Sequence, residues 1–361
     1  MEGNMLEKNK KTSFDPSEWT SHRQLRKRVN EMKENSLGRI KVTTLGTSFQ
    51  GREIYAARVG TGKKVLLLTS EMDGKQKFGT EVLLSLLDAL STDRSGKNEA
   101  LLEQLTIVAV PKLNPDGSEL VQKQNEISWE EITEIYPQLK GTDPCWYYKG
   151  NGLELNRDFH ADFNYEPRAE DLPGDSSEFG LMLTNEARII RDLYVSLLAE
   201  FDEVEAYVDL RQMGGNFSPV NYINGTDQLV TIALNYPSLG KDGNERYAKD
   251  WPKLDQDKSR RYAMAAVKGV MENADAELRK GLAQFYHPID QDMPGLFGSA
   301  LALHGSASVL IEIPGQQPDY PKDEKLLELM DYALWGIIQN MADGTVDDLD
   351  GNEYYSLPKY W

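Results

Sequence analysis

The chain has 361 residues and a formal charge of -18 at neutral pH. That excess of acid argues against nucleic-acid binding and against anchoring on anionic lipid, and it favours solubility. Hydrophobic residues make up 40% of the sequence, enough for a sizeable core, and the length allows one large α/β domain or two small ones.

In chain order, residues 1–14 are polar and read as a flexible N-terminus. Asp15-Pro16-Ser17-Glu18 predicts a helix start, with Trp19, Leu25, Val29 and Met32 on its apolar face and Gly38 as its stop. Ile40 to Leu45 and Arg52 to Val59 read as strands joined by Gly46-Thr47-Ser48-Phe49-Gln50-Gly51. Val65-Leu66-Leu67-Leu68 is a buried strand that ends in the polar turn Ser70 to Gln76, and Phe78 to Leu90 is an apolar helix behind it. Thr106 to Val110 is a second buried strand. Residues 126–150 look irregular, aromatic and acidic, and 162–180 read as loop. Helices are expected over Asn185 to Phe201, Asp257 to Lys280 and Lys325 to Met341, and strands over Val204 to Leu210 and Ser306 to Ile313. Gly214 to Gly225 is a Gly/Asn loop placed to line a site mouth. Residues 346–361 read as a solvated acidic and aromatic tail, pinned by Tyr354, Tyr355 or Trp361. Alternating buried strands and helices predict one α/β/α sandwich domain over 15–345, with a mostly parallel mixed sheet.

Cys145 is the single cysteine, which leaves no partner for an internal disulfide and no cysteine-based metal site. No run of about 18 apolar residues is present to span a membrane. The first ten residues lack the apolar core of a secretory signal. A cytoplasmic location follows if that start is native, and an extracellular one if a signal was trimmed. Gly60-Thr61-Gly62-Lys63-Lys64 lacks the spacing of a phosphate-binding loop, and Asp347-Asp348-Leu349-Asp350-Gly351 does not fit a calcium loop.

Strand ends of open α/β sheets are where ligands bind, so Asp73 and Gln76 stand where chemistry is expected. The turn that holds them resembles the first signature of the zinc-carboxypeptidase family (the funnelins), a strand followed by His-x-x-Glu and a helix. Asn114-Pro115-Asp116-Gly117 matches that family's Asn-Pro-Asp-Gly turn. Gly152-Leu153-Glu154-Leu155-Asn156-Arg157-Asp158-Phe159 matches its Gly-x-Asp-Leu-Asn-Arg-Asp-Phe, with Glu154 for Asp. Val208-Asp209-Leu210-Arg211 resembles the strand ending Asp-Leu-His, and Leu310 to Gly315 the strand with the catalytic glutamate. The signatures run in family order over roughly residues 20–345.

The resemblance implies a zinc enzyme, but the three ligand positions hold Asp73, Gln76 and Arg211. An amide replaces a carboxylate, and a guanidinium, which has no lone pair to offer, replaces a histidine. The expectation is no zinc and an Asp73–Arg211 salt bridge in the former metal position, with Gln76 in support. By the same resemblance, Glu312 is the general base, left vestigial. Asn156 and Arg157 grip a ligand carboxylate, and Lys123 lies near the position of an oxyanion-stabilising Arg. The bland alternatives are a helix-capping Asp73, a surface Arg211, and an Arg157 paired with Asp158 or Glu154. A relocated zinc site would need His160 with His287 or His304. The preferred reading is a catalytically inactive carboxypeptidase-like protein that binds a peptide or another carboxylate-bearing ligand, with no cofactor. An active metallocarboxypeptidase with an unorthodox metal site, a metal-free hydrolase using Asp73 and Glu312, and a purely structural partner protein are the alternatives. The ligand's identity and the oligomeric state are not legible.

Overall fold

The computed structural model describes residues 19–93, 96, 98–213, 221–237, 239–240, 245–285, 292–315 and 322–360. The expected N-terminal segment 1–14, the expected helix start at Asp15, His287, Trp361 and most of the Gly214 to Gly225 stretch fall outside them. The strands, in chain order, are β1 (Ile40–Thr47), β2 (Glu53–Gly60), β3 (Lys64–Ser70), β4 (Leu105–Val110), β5 (Tyr148–Lys149), β6 (Gly152–Leu153), β7 (Ala206–Gln212), β8 (Ile232–Asn235), β9 (Leu282–Phe285), β10 (Ala307–Ile313) and β11 (Lys359–Tyr360).

Nine of them form one sheet in the order β1-β2-β4-β3-β7-β10-β8-β9-β11. β4, β3, β7 and β10 run parallel at its centre, and β8 is antiparallel to β10. The period of two in β3 sorts its side chains onto two faces. Leu66 and Leu68 pack with the helices Phe78–Thr92, Gln256–Asn273 and Glu324–Asp343, while Val65 and Leu67 pack with the helices Asn185–Phe201 and Phe297–Leu303. Helices therefore cover both faces of a mixed, mostly parallel sheet. No helix among the described residues is long and apolar enough to cross a membrane.

The structure departs from the expected elements in four places. The first helix is His22–Asn35, capped by Ser21 in a box with Gln24, so Trp19 precedes it; Leu25, Val29 and Met32 are its buried face. The expected helix over 257–280 breaks at Ala274 into Gln256–Asn273 and Ala276–Lys280, where Asp275 turns extended. Residues 126–150 are more ordered than expected. They hold a helix, Trp129–Ile135, whose Ser128/Glu131 capping box is present, and Ile127, Ile132, Tyr136, Leu139 and Tyr147 build a small core of their own. The tail, exposed along most of its length, is pinned at Tyr354 and more firmly than expected. Tyr354 is 1% exposed and donates to the Leu234 carbonyl at 2.8 Å, and Lys359–Tyr360 adds the last strand to the sheet.

Candidate functional site

β3 delivers its turn under tension. Glu71, the residue after the strand, has φ 53°, a left-handed backbone that a non-glycine residue adopts only when its surroundings impose it. Its carboxylate lies 2.6 Å from Lys112 Nζ, with both side chains fully buried, and accepts from Thr80 Oγ1 at 2.6 Å. Gly74 lies so close to the Asn114 turn that a Cβ there would meet the Gly117 carbonyl carbon at 2.2 Å, which fixes glycine at that position. Asn114 closes the contact, its side-chain amide donating to the carbonyls of Met72 and Lys123. Asp73 is thus held between two rigid loops at the strand's C-terminal end.

β7 and β10 bring the next groups. Ala206, Val208 and Leu210 enter one core, so Tyr207, Asp209 and Arg211 share the opposite face. Arg211 is paired in register with Glu312 of β10. Arg211 Nη2 lies 2.5 Å from Asp73 Oδ2, and its Nε lies 3.7 Å from Asp209 Oδ2. Gln76 Nε2 donates to the same Asp73 oxygen at 3.1 Å, and Gln76 Oε1 accepts from the Gln212 N–H at 3.2 Å. Glu312 Oε2 accepts from Asn235 Nδ2 at 2.8 Å and from the Tyr360 hydroxyl at 3.3 Å. The Phe285 N–H, donating to Asn235 Oδ1 at 2.7 Å, sets which way that amide points.

Three carboxyl groups thus share the one guanidinium of Arg211. Burial works against its charge, but Asp73, Asp209 and Glu312 together hold it above its ordinary value. Burial pushes the Asp209 carboxyl up to about 7 in spite of Arg211 and the hydrogen bond from Thr69. Glu312 is raised as well, by burial first, with Arg211 and Tyr360 opposing.

The Glu154–Arg157 turn brings a second set of charges alongside. Lys123 Nζ lies 2.6 Å from Glu154 Oε2. Asp158 is fully buried and accepts from the Tyr147 hydroxyl and from the Leu183 and Thr184 N–H groups. Both acidic neighbours of Arg157 are therefore occupied elsewhere. Arg157 Nη1 donates to the Asn156 carbonyl at 2.6 Å, and the side chain makes no ion pair among the described residues. Its pKa is lowered by burial and then by the charge of Arg211, with Asp73 and Glu154 opposing. Asn156 is buried, and its Oδ1 accepts from the Phe297 N–H at 3.2 Å.

A family model described as zinc carboxypeptidase matches residues 25–358, nearly the whole chain and all of these groups except Tyr360. The chain belongs to the zinc carboxypeptidase family. It is 25% identical over 134 residues to carboxypeptidase D of Anas platyrhynchos, a stretch that spans 34% of this chain and 8% of that protein. In fold it is similar to carboxypeptidase A from Helicoverpa armigera, with a TM-score of 0.60, 15% identity, and coverage of 92% of this chain and 75% of the other. It is also similar to bovine thrombin-activatable fibrinolysis inhibitor, solved in complex with tick carboxypeptidase inhibitor, with a TM-score of 0.57, 13% identity, and coverage of 92% and 99%.

The donor set of this zinc carboxypeptidase relative does not fit the metal that names the family. A catalytic zinc takes three nitrogen, sulfur or carboxylate ligands. Here Asp73 is bonded to a guanidinium and an amide, and the guanidinium sets a fixed positive charge against the one carboxylate of the three, which works against binding a dication there. Among the described residues no group of three His, Cys, Asp or Glu side chains is arranged to hold a metal. The histidines among the described residues are otherwise engaged, His22 with the Glu53 carbonyl. His160 stacks on Tyr165 at 4.0 Å between ring centroids, and His304 bonds the Ala161 carbonyl and stacks on Phe163.

Sequence reasoning names Asp73, Gln76 and Arg211, and the structure brings the three together. It places Glu312 beside Arg211 in register, Arg157 near both Asp73 and Arg211, and Lys123 on Glu154 rather than at an open position. Three contributors were not anticipated. Asp209 was legible from its period-two relation to Arg211. Asn235 and Tyr360 lie on short strands with no pattern of their own, and nothing local marks them.

Proposed function

We propose that this member of the zinc carboxypeptidase family works without a metal, is catalytically inactive as a peptidase, and binds a peptide or another carboxylate-bearing ligand. The observation that carries this reading is the Asp73–Arg211 contact of 2.5 Å, which engages the one carboxylate at the three expected ligand positions, with no group of three metal-ligating side chains among the described residues. Without an activated water Glu312 has nothing to deprotonate in the hydrolytic manner, and Asn235 and Tyr360 hold its Oε2.

Arg157 supports the binding half of the reading. A half-buried guanidinium with no carboxylate partner among the described residues is costly to keep, and a ligand carboxylate is the partner its fork fits. Titration calorimetry with peptides bearing free and amidated C termini tests it. Free carboxylates bind, amidation weakens binding, and Arg157→Gln weakens binding of the free acid by about tenfold to a hundredfold. Absence of any Arg157-dependent binding contradicts the proposal. Chelator-sensitive hydrolysis would favour an unorthodox metal site instead, and chelator-insensitive hydrolysis lost in Glu312→Gln would favour metal-free catalysis.

A further inference from the structure

The Asp73–Arg211 pair has an electrical imbalance of opposite sign on its two sides. On the side of the Glu154–Arg157 turn, Arg157 has no carboxylate among the described residues, because Glu154 is taken by Lys123 and Asp158 by Tyr147 and two backbone N–H groups. On the β7/β10 side, Asp73, Asp209 and Glu312 share the single charge of Arg211, which stands in register with Glu312. Asp73 Oδ1 sits on a side chain only 5% exposed and accepts no hydrogen bond among the described residues. A buried carboxylate oxygen without a donor is rare in folded proteins, and its ordinary resolution is a ligand or water that donates to it.

Cationic surplus beside anionic surplus defines a ligand chemistry. We infer that the site reads a zwitterion, an amino acid or short peptide whose carboxylate takes the Arg157 guanidinium and whose ammonium group takes Asp73 Oδ1 and the Glu312 carboxylate. The inference rests on the proposed role of Arg157 as the carboxylate grip and adds a second recognition point to it. An ammonium offers three donors and a full charge, so it satisfies the orphaned oxygen and offsets the unmatched carboxylate together. An acylated nitrogen offers one donor and no charge, leaving the imbalance in place. Sites built around a buried polar group discriminate strongly against ligands that lack its partner.

The experiment is titration calorimetry on the full chain with a set of L-amino acids and dipeptides, each measured beside its N-acetyl and its C-amide derivative. Both modifications weaken binding, by about tenfold or more each. Glu312→Gln narrows the difference between free and N-acetyl ligands, and Asp73→Asn acts in the same direction. Circular dichroism of each variant confirms that it folds. If N-acetyl ligands bind as tightly as free ones while C-amidation still weakens binding, the zwitterion is refuted and the carboxylate reading stands. An undiminished preference for the free amine in both variants also refutes it. If no member of the panel binds the native chain, both readings fall.

Discussion

Glu312 faces Arg211 across adjacent parallel strands, yet its Oε2 is held from the other direction, by Asn235 at 2.8 Å and Tyr360 at 3.3 Å. Arg211 in turn reaches Asp73, on a different loop. The sheet register brings the two charges side by side, and the hydrogen bonds then divide them between separate partners. The result is a buried polar network that ties β3, β7, β10 and the last strand together at the end of the sheet where ligands of such folds bind.

Breaking the central pair from one side is expected to be severe. Asp73 and Arg211 have side chains 5% and 11% exposed, so Arg211→Ala strands a buried carboxylate and Asp73→Ala strands a guanidinium. Each single change is expected to lower stability by about 3–5 kcal/mol. The double change Asp73→Ala with Arg211→Ala removes both charges and is expected to cost much less than the sum. Urea unfolding of the four chains measures the coupling. Additive losses would show that the two residues do not act as a pair.

Glu186 provides a pH prediction outside the site. It is fully buried in the first turn of the Asn185–Phe201 helix, its Oε1 has no hydrogen-bond partner among the described residues, and its Oε2 accepts from Asn125 at 3.4 Å. Burial pushes its carboxyl up to about 8 from an ordinary 4.5. With the folded value raised, the folded state binds more protons than the unfolded state between those two values, so this group lowers stability as pH rises through that window. The accumulated loss is on the order of 4 kcal/mol by pH 8. Glu186→Gln is therefore expected to match the native chain near pH 4.5 and to exceed it in melting temperature increasingly up to pH 8. A pH-independent difference would contradict this.

The C-terminal segment is expected to behave as core rather than appendage. Tyr354 is 1% exposed, sets its ring against Tyr236 and Tyr355, and bonds Leu234. Tyr354→Ala leaves a large cavity and is expected to cost about 3–5 kcal/mol, against about 1 kcal/mol for Tyr354→Phe, which removes only the hydrogen bond. Chemical denaturation reads both. A change below about 0.5 kcal/mol for Tyr354→Ala would show that the segment is not packed as described.

The sheet's centre was legible because its strands are apolar runs that end in polar turns, as Val65–Leu68 and Ile107–Val110 are. Arg211 and Asp73 were legible because they occupy positions where the family resemblance leads one to expect other chemistry. What was missed is long-range. Tyr360 reaches Glu312 across 48 residues of chain, and the strands that carry it and Asn235 are two and four residues long, too short for a periodic signal. The first helix was misplaced because Asp15-Pro16-Ser17-Glu18 and Ser21 with Gln24 are both respectable caps, and only packing chooses between them. Adjacency also misled. Glu154 and Asp158 flank Arg157 in sequence, but the backbone turn hands one to Lys123 and the other to Tyr147.

The central claim is that Arg211 and Asp73 occupy the place of the metal, and zinc stoichiometry tests it directly. The native chain, equilibrated with zinc and freed of excess, is compared with the triple variant Asp73→His, Gln76→Glu, Arg211→His, which rebuilds a His-Glu-His donor set. The account predicts less than about 0.1 zinc per native chain and close to one per variant chain. Near one zinc per native chain, with chelator-sensitive peptide hydrolysis, would contradict it.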